Sequence, residues 1–326
     1  MGRFLLILLL VSLLGGGWFL LNRYEIASRN GEWVIRARHD GVEGTRGRAR
    51  RGDGLPPAAN RRTIRIATFN AAPLDAHKLN RRQAVAVIAS VVREFDIVAV
   101  QGVRRGSPAL LNDLLDTINA TGRHYALSAC PTASRIPHGT GGIFLFDRAS
   151  IEADPSMVYS VTAPAGHLAS SPLVAAFRAR GPDPEAAFTF TLINVRVDPD
   201  NAARELDLLA DVYRAVRDDG REEDDIIILG SLAADEGRYG ALGRIPDITW
   251  AISGIPTTTR SPRSLDNILF NRRATVEFTG RSGVVDLVRQ FDLSVADAER
   301  IAAHLPAWAE FSVFEGGDLL HLAGGR

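Results

Sequence analysis

The chain contains a single cysteine, Cys130, which excludes an intrachain disulfide and a thiolate metal cluster. An exported protein can do without disulfides, so this leaves the compartment open. Lysine is equally scarce: Lys78 is the only one, and the other residues among the 38 Lys and Arg are arginine. Such a bias fits a GC-rich genome, although arginine suits phosphate contacts wherever it falls in a site. Net charge is absent as well, with 38 basic residues against 38 acidic ones. No global field draws the chain to nucleic acid or to an anionic membrane. No basic-aromatic face marks it as a sequence-specific nucleic-acid binder.

What is present describes a globular protein. A hydrophobic share of 46% and a charged share of 23% supply an ordinary core. With 326 residues there is room for one large domain of roughly 250 residues plus extras, or for two small ones. Phe4 to Leu21 is an uncharged apolar run behind Arg3. A hydrocarbon core of about 30 Å needs about 20 helical residues, so the run just spans it, with Trp18 and Tyr24 suited to the interface. The rival is a cleaved signal peptide, but its apolar core would be shorter and a small-x-small site would follow. Residues 1–22 are therefore expected to be an uncleaved single-pass anchor. Arg3 and the amino terminus oppose Arg23 and Arg29 across the span, so charge alone does not orient it. The globular part is expected on the outer, periplasmic side.

Residues 23–62 are poor in apolar side chains and rich in Arg and Gly. Thr45 to Pro57 reads as a flexible tether, or as a grip on lipid head groups or nucleic acid through its clustered arginines. The folded domain is expected over 63–314, with 315–326 as a tail. Strands are expected over 64–70, 96–101, 142–147, 172–180, 188–197, 225–230, 265–271 and 308–314. Amphipathic helices are expected over 81–94, 109–121 and 201–217. Strict βαβ alternation is missing, so a layered α/β sandwich fits better than a doubly wound parallel sheet.

Six short segments fall at strand ends: Thr68-Phe-Asn70, Val100-Gln-Gly102, Leu192-Ile-Asn-Val-Arg196, Leu229-Gly-Ser-Leu-Ala233, Leu265-Asp-Asn-Ile-Leu-Phe270 and Ala303-His-Leu-Pro-Ala-Trp308. None is specific alone. In this order, over about residues 63 to 314, the set resembles the endonuclease/exonuclease/phosphatase superfamily. The stretches 198–217 and 274–293 look similar to its membrane-anchored members in planctomycete-like bacteria. The resemblance implies a four-layer, DNase I-like α/β sandwich and metal-dependent phosphoric ester hydrolysis, usually with Mg²⁺ held by carboxylates. It also implies roles for matching residues: Asn70 near metal and phosphate, His304 on the phosphoryl group, and Asp266 orienting that histidine.

Other positions depart from the family pattern. Gly102 stands where the metal-binding Glu belongs, Ser231 and Ala233 where an Asp-x-Asn pair belongs, and Ala303 where an Asp precedes the last His. Arg196 replaces a His, and Gly142 a Tyr. Losing a single site donor costs roughly 10²–10³ in rate, and losing a constellation costs more. A degenerate site is therefore expected, with no resident metal, or Mg²⁺ if the family activity survives. Arg196 is the expected binder of an anionic group, or else the internal counter-ion of Asp198 or Asp266. Asp266 with His304 can persist as a buried hydrogen-bonded pair, and Asn70 as a loop cap. His138 and His167 are expected to have no role. The functional expectation is binding or scaffolding of a phosphorylated ligand or a protein partner. The alternative is an active hydrolase with relocated ligands, for which Asp198 and Asp235 lie near vacated places.

Overall fold

The computed structural model describes residues 61–104, 108–129, 140–161 and 168–317, Ala58, and a hairpin within 24–37. The chain divides into two units, residues 1–52 and 53–326. In the first, strands β1 (Tyr24–Arg29) and β2 (Glu32–Ala37) pair antiparallel, Arg29 opposite Glu32. This ordered hairpin falls inside the stretch expected to be linker. The apolar run 4–21 and the tether 45–57 lie outside the described residues, as do Cys130, His138 and His167. Among the described residues, no helix is long and apolar enough to cross a membrane.

The second unit holds two six-stranded sheets. One orders its strands β13 (Phe278–Val284), β14 (Ala307–Ser312), β3 (Thr63–Leu74), β4 (Ile97–Arg104), β6 (Thr140–Asp147) and β5 (Tyr125–Ser128). The other runs β11 (Ile248–Trp250), β12 (Asp266–Asn271), β10 (Ile226–Ser231), β9 (Thr189–Arg196), β8 (Leu173–Ala179) and β7 (Ile151–Ser160). Only β3/β4 and β9/β10 pair parallel among these neighbours; the remaining pairs are antiparallel.

The period-two alternation of the strands builds the layers. In β4, Ile97 and Ala99 enter the core between the sheets, while Val98 and Val100 face the outer helices. In β10, Ile227 and Leu229 face inward, and Ile226 and Ile228 outward. Between the sheets, Phe177, Phe188, Phe190 and Phe311 stack with centroids 4.7–6.0 Å apart, and Phe144 and Phe146 meet Phe177 edge to face.

Helices cover both outer faces. Helix α2 (Arg82–Val92) and helix α3 (Pro108–Asn119) lie on the first sheet, behind the short α1 (Ala76–Leu79). Helix α4 (Ala202–Arg217) covers the second sheet, burying Leu206, Leu209, Ala210 and Tyr213 as its periodicity requires. The turns α5 (Gly240–Gly243) and α6 (Leu287–Gln290) and the helix α7 (Val295–Ile301) complete the described set. The architecture is helix, sheet, sheet, helix, as expected. The domain runs past 314: Phe314 bridges Ala187, and the Glu315 amide donates to Ala186.

Candidate functional site

The alternation that fills the core also places polar residues where the strands end. Thr68 and Asn70 follow Ile66 on the inward face of β3, and Gln101 follows Ala99 on β4. Asn194 follows Leu192, Ser231 follows Leu229, and Asp266 precedes Ile268. The pairing register sets Arg196 beside Ser231 and Ser231 beside Asp266, three polar residues in a row across the second sheet. In the first sheet Asn70 lies beside Gln101. The Asn194 side chain joins the two sheets at this end: its Oδ1 accepts from Gln101 Nε2 at 2.8 Å, and its Nδ2 donates to carbonyls of β4 and β6.

Asp266 is 1% exposed, and its Oδ2 lies 2.7 Å from Nδ1 of His304, whose side chain is 20% exposed. The same oxygen accepts from the Thr257 hydroxyl at 2.8 Å, and Oδ1 is buried with no partner. A carboxylate there takes a proton donated by Nδ1, and only a ring protonated on both nitrogens would also present an Nε2–H to an anion. Thr257 in turn takes the amides of Leu265 and Asp266 on its hydroxyl oxygen. The Leu305 amide donates to the Thr257 carbonyl, and the Thr259 amide to that of Ala303. The loop from Thr257 thus fixes both halves of the Asp–His pair.

Asn70 is buried, and its Oδ1 accepts from the Ala72 amide at 3.2 Å, the geometry of a local turn cap. Arg196 is half-buried at the end of β9. Asp198 follows it, and its carboxyl is held below the usual range, first by the Asn201 side chain, then by the Asp200 amide. Arg196 adds a smaller attraction. Asp198 caps the 3₁₀ turn Pro199–Asn201, and the buried Glu205 accepts its amide. Asp235 pairs with Arg263 at 3.4 Å. Both aspartates offered as relocated ligands are thus engaged where they stand.

Two of the vacated positions, Gly102 and Gly142, are filled by neighbours. Gly102 has φ +81°, and an added Cβ would lie 2.3 Å from the Cβ of Ala72 and 2.5 Å from its Cα. A Cβ on Gly142 would meet Nδ2 of Asn194 at 2.6 Å. That Nδ2 donates to the carbonyls of Val100 and Ile143, at 3.2 and 3.1 Å. Gln101 Nε2 faces Thr68 Oγ1 and the Ala99 carbonyl besides Asn194. Asn194 and its amide network therefore occupy the place of the family's tyrosine, and Ala72 that of its glutamate. Sequence reading assigned Gln101, Asn194 and Thr68 no role, yet their inward parity was readable from the strands. Thr257 carried no such signal.

No family model matches the chain. Mouse deoxyribonuclease-1-like 2 is 26% identical over 266 residues, covering 76% of this chain and 91% of that protein. Its human counterpart is 26% identical over 196 residues, 55% of this chain, and the match spans 64% of the human protein, just under two thirds. Among solved structures, a humanized TDP2 from D. rerio shares 12% identity at a TM-score of 0.55, covering 77% of this chain and 99% of that one. Sequence and fold agree with the six ordered strand ends. These likenesses support the endonuclease/exonuclease/phosphatase superfamily for this chain.

The superfamily is generally metal-dependent, so the donors here can be tested against a hard cation. Mg²⁺ asks for near-octahedral oxygen ligands, commonly one or two carboxylates. Asp266 is the one carboxylate among the matched positions, and its Oδ2 already serves His304 and Thr257. Gly102, Ser231, Ala233 and Ala303 supply no carboxylate. Among the described residues, no cluster of three converging acidic, His or Cys ligand atoms includes Asp266 or His304. This donor set does not fit the superfamily metal. What it offers an anion is the His304 imidazole and the Arg196 guanidinium.

Proposed function

We propose that this superfamily domain has exchanged hydrolysis for binding, and that it recognises an anionic, phosphate-bearing ligand at the Asp266–His304 end of the sandwich. The observation that carries the reading is the fit of Gly102 against Ala72, which leaves no room for the superfamily's metal-binding Glu. The amide network at Asn194 and the engaged Asp198 and Asp235 support it further. Arg196 and His304 are the groups proposed to meet the ligand. The apolar run 4–21 is proposed to tether the domain to a membrane, with the domain on the outer side.

The deciding experiment is a turnover assay of the full chain on plasmid DNA and on a chromogenic phosphodiester, with Mg²⁺ or Mn²⁺ added. The expected result is a rate no greater than that of His304→Ala. A metal-dependent rate that His304→Ala abolishes would overturn the binding-only reading in favour of an active hydrolase.

A further inference from the structure

At the opposite end of the sandwich, six residues of β10 and about 20 Å from Ser231, lies a second cluster. Asp225 precedes β10, Glu277 precedes β13, and Glu315 follows β14. One carboxylate oxygen from each lies within 4.8 Å of the other two. Asp225 is 1% exposed and Glu277 is 2% exposed, whereas Glu315 opens to solvent. Two buried carboxylates facing a third carry a heavy desolvation cost unless something positive joins them.

The hydrogen bonds around the cluster stop short of satisfying it. Glu277 Oε1 accepts the Gly316 amide at 2.6 Å, while Oε2 is buried without a partner. Glu315 Oε2 accepts the Thr189 amide at 3.1 Å. Asp225 Oδ1 is buried without a partner too. Thr275, 2% exposed, directs its hydroxyl at the Asp225 carboxyl, and the Asp225 and Glu277 carboxyls approach each other too, yet no well-formed hydrogen bond satisfies Thr275 Oγ1. Three buried oxygens from three side chains thus lack partners in one place. The strongest charges acting on Asp225 are Glu277, Glu315 and Glu223, all acidic.

We infer that Asp225, Glu277 and Glu315 form a site for one divalent cation, Ca²⁺ by preference, with the Thr275 hydroxyl as a further oxygen ligand. The chemistry selects the ion. Hard carboxylate and hydroxyl oxygens suit Ca²⁺ or Mg²⁺, but Mg²⁺ gives up its waters reluctantly and keeps several. Asp225 and Glu277 are almost wholly buried, which leaves little space for them on that side. Ca²⁺ accepts irregular shells of six to eight oxygens, and the exposed Glu315 side admits the waters that complete one. Without a cation, burial pushes both Asp225 and Glu277 upward in pKa, as does the neighbouring negative charge, which agrees with a cluster lacking its counter-charge. The site joins the C-terminal segment at Glu315 to β10 and to the β12–β13 loop, so occupancy would fasten the end of the domain.

The test is the melting temperature of the full chain in mildly alkaline buffer with Ca²⁺, with Mg²⁺, or with a chelator. Saturating Ca²⁺ is expected to raise it by about 5 °C or more, Mg²⁺ by less, and equilibrium dialysis is expected to count one Ca²⁺ per chain. Glu277→Gln is expected to lose the response. Where Glu277→Gln does not fold, Glu315→Gln on the exposed rim decides, with most of the response lost. No rise in the wild type, or an equal rise in Glu315→Gln, overturns the site and leaves a proton shared between Asp225 and Glu277. Neither result bears on turnover at His304, so this inference and the proposed function fail separately.

Discussion

Gly102 and Ala72 fit together only because residue 102 has no side chain: an added Cβ would stand 2.3 Å from the Cβ of Ala72. The conflict is with backbone as well, at 2.5 Å from Cα and 2.9 Å from N, so trimming Ala72 does not relieve it. The backbone at 102, with φ +81°, also disfavours any L side chain. The missing glutamate is therefore a property of the strand end, beyond one absent carboxylate.

Restoring the family's metal ligands by substitution should accordingly fail. Gly102→Ala is expected to destabilise the domain by about 2 kcal/mol or more, measured by urea denaturation. The triple variant Gly102→Glu, Ser231→Asp, Ala233→Asn should show no Mg²⁺-dependent rise in melting temperature. A Mg²⁺ response in that variant would mean that the strand end moves freely enough to rebuild the site.

Ala233 stands where the family has an asparagine, and it keeps a left-handed backbone with φ +52°. Alanine is strained there, whereas glycine is indifferent and asparagine is several-fold enriched in that region. Ala233→Gly is expected to stabilise the domain by about 1 kcal/mol, and Ala233→Asn by somewhat less. Equal or lower urea midpoints for both variants would contradict the strain argument.

The sequence announced the layers because strand parity and helix period act locally. Val98 and Ala99 face opposite ways whatever surrounds them, and Leu206 to Tyr213 mark the buried stripe of α4 without help. It also picked out Asp266 and His304, which lie 38 residues apart and meet at 2.7 Å. What it hid depends on contacts distant in the chain. The edge strand β7 has an irregular burial pattern and a register shift between Ala153 and Val158, so no alternation reveals it. Gly102 read as a deletion; that Ala72 fills the space is visible only once β3 and β4 are paired. Asp225, Glu277 and Glu315 are scattered acids until the ends of β10, β13 and β14 converge.

Asn194 shows how the floor of the site is held. Its side chain bridges the Val100 and Ile143 carbonyls and receives Gln101 Nε2, all buried. Asn194→Ala would take the side-chain donor from two buried carbonyls and one of three acceptors from the Gln101 amide, and a loss of about 2–4 kcal/mol is expected. Gly142→Ala, pressing on the same amide from 2.6 Å, should be destabilising too. A neutral Asn194→Ala would show that water replaces the side chain readily and that the floor is open.

Lys78, the only lysine, gives a prediction with a pH sign. Its Nζ is buried and donates to the carbonyls of Ala71 at 2.8 Å and Ile301 at 2.6 Å, tying the turn beside Gly102 to the segment leading to His304. Burial lowers its pKa from the ordinary 10.5 to about 8, against the opposing pull of Asp75. At neutral pH Lys78→Met strands both carbonyls and should cost about 2 kcal/mol. Between pH 8 and 10.5 the unfolded chain holds a proton that the folded chain has released, so wild-type stability from this group rises with pH. The neutral amine still donates, so the gap between wild type and Lys78→Met should widen across that window, by up to about 3 kcal/mol. Taking the difference between the two proteins cancels the titration of every other group. A gap that stays constant, or that narrows, would place the Lys78 proton outside that window and remove the argument for a desolvated ammonium.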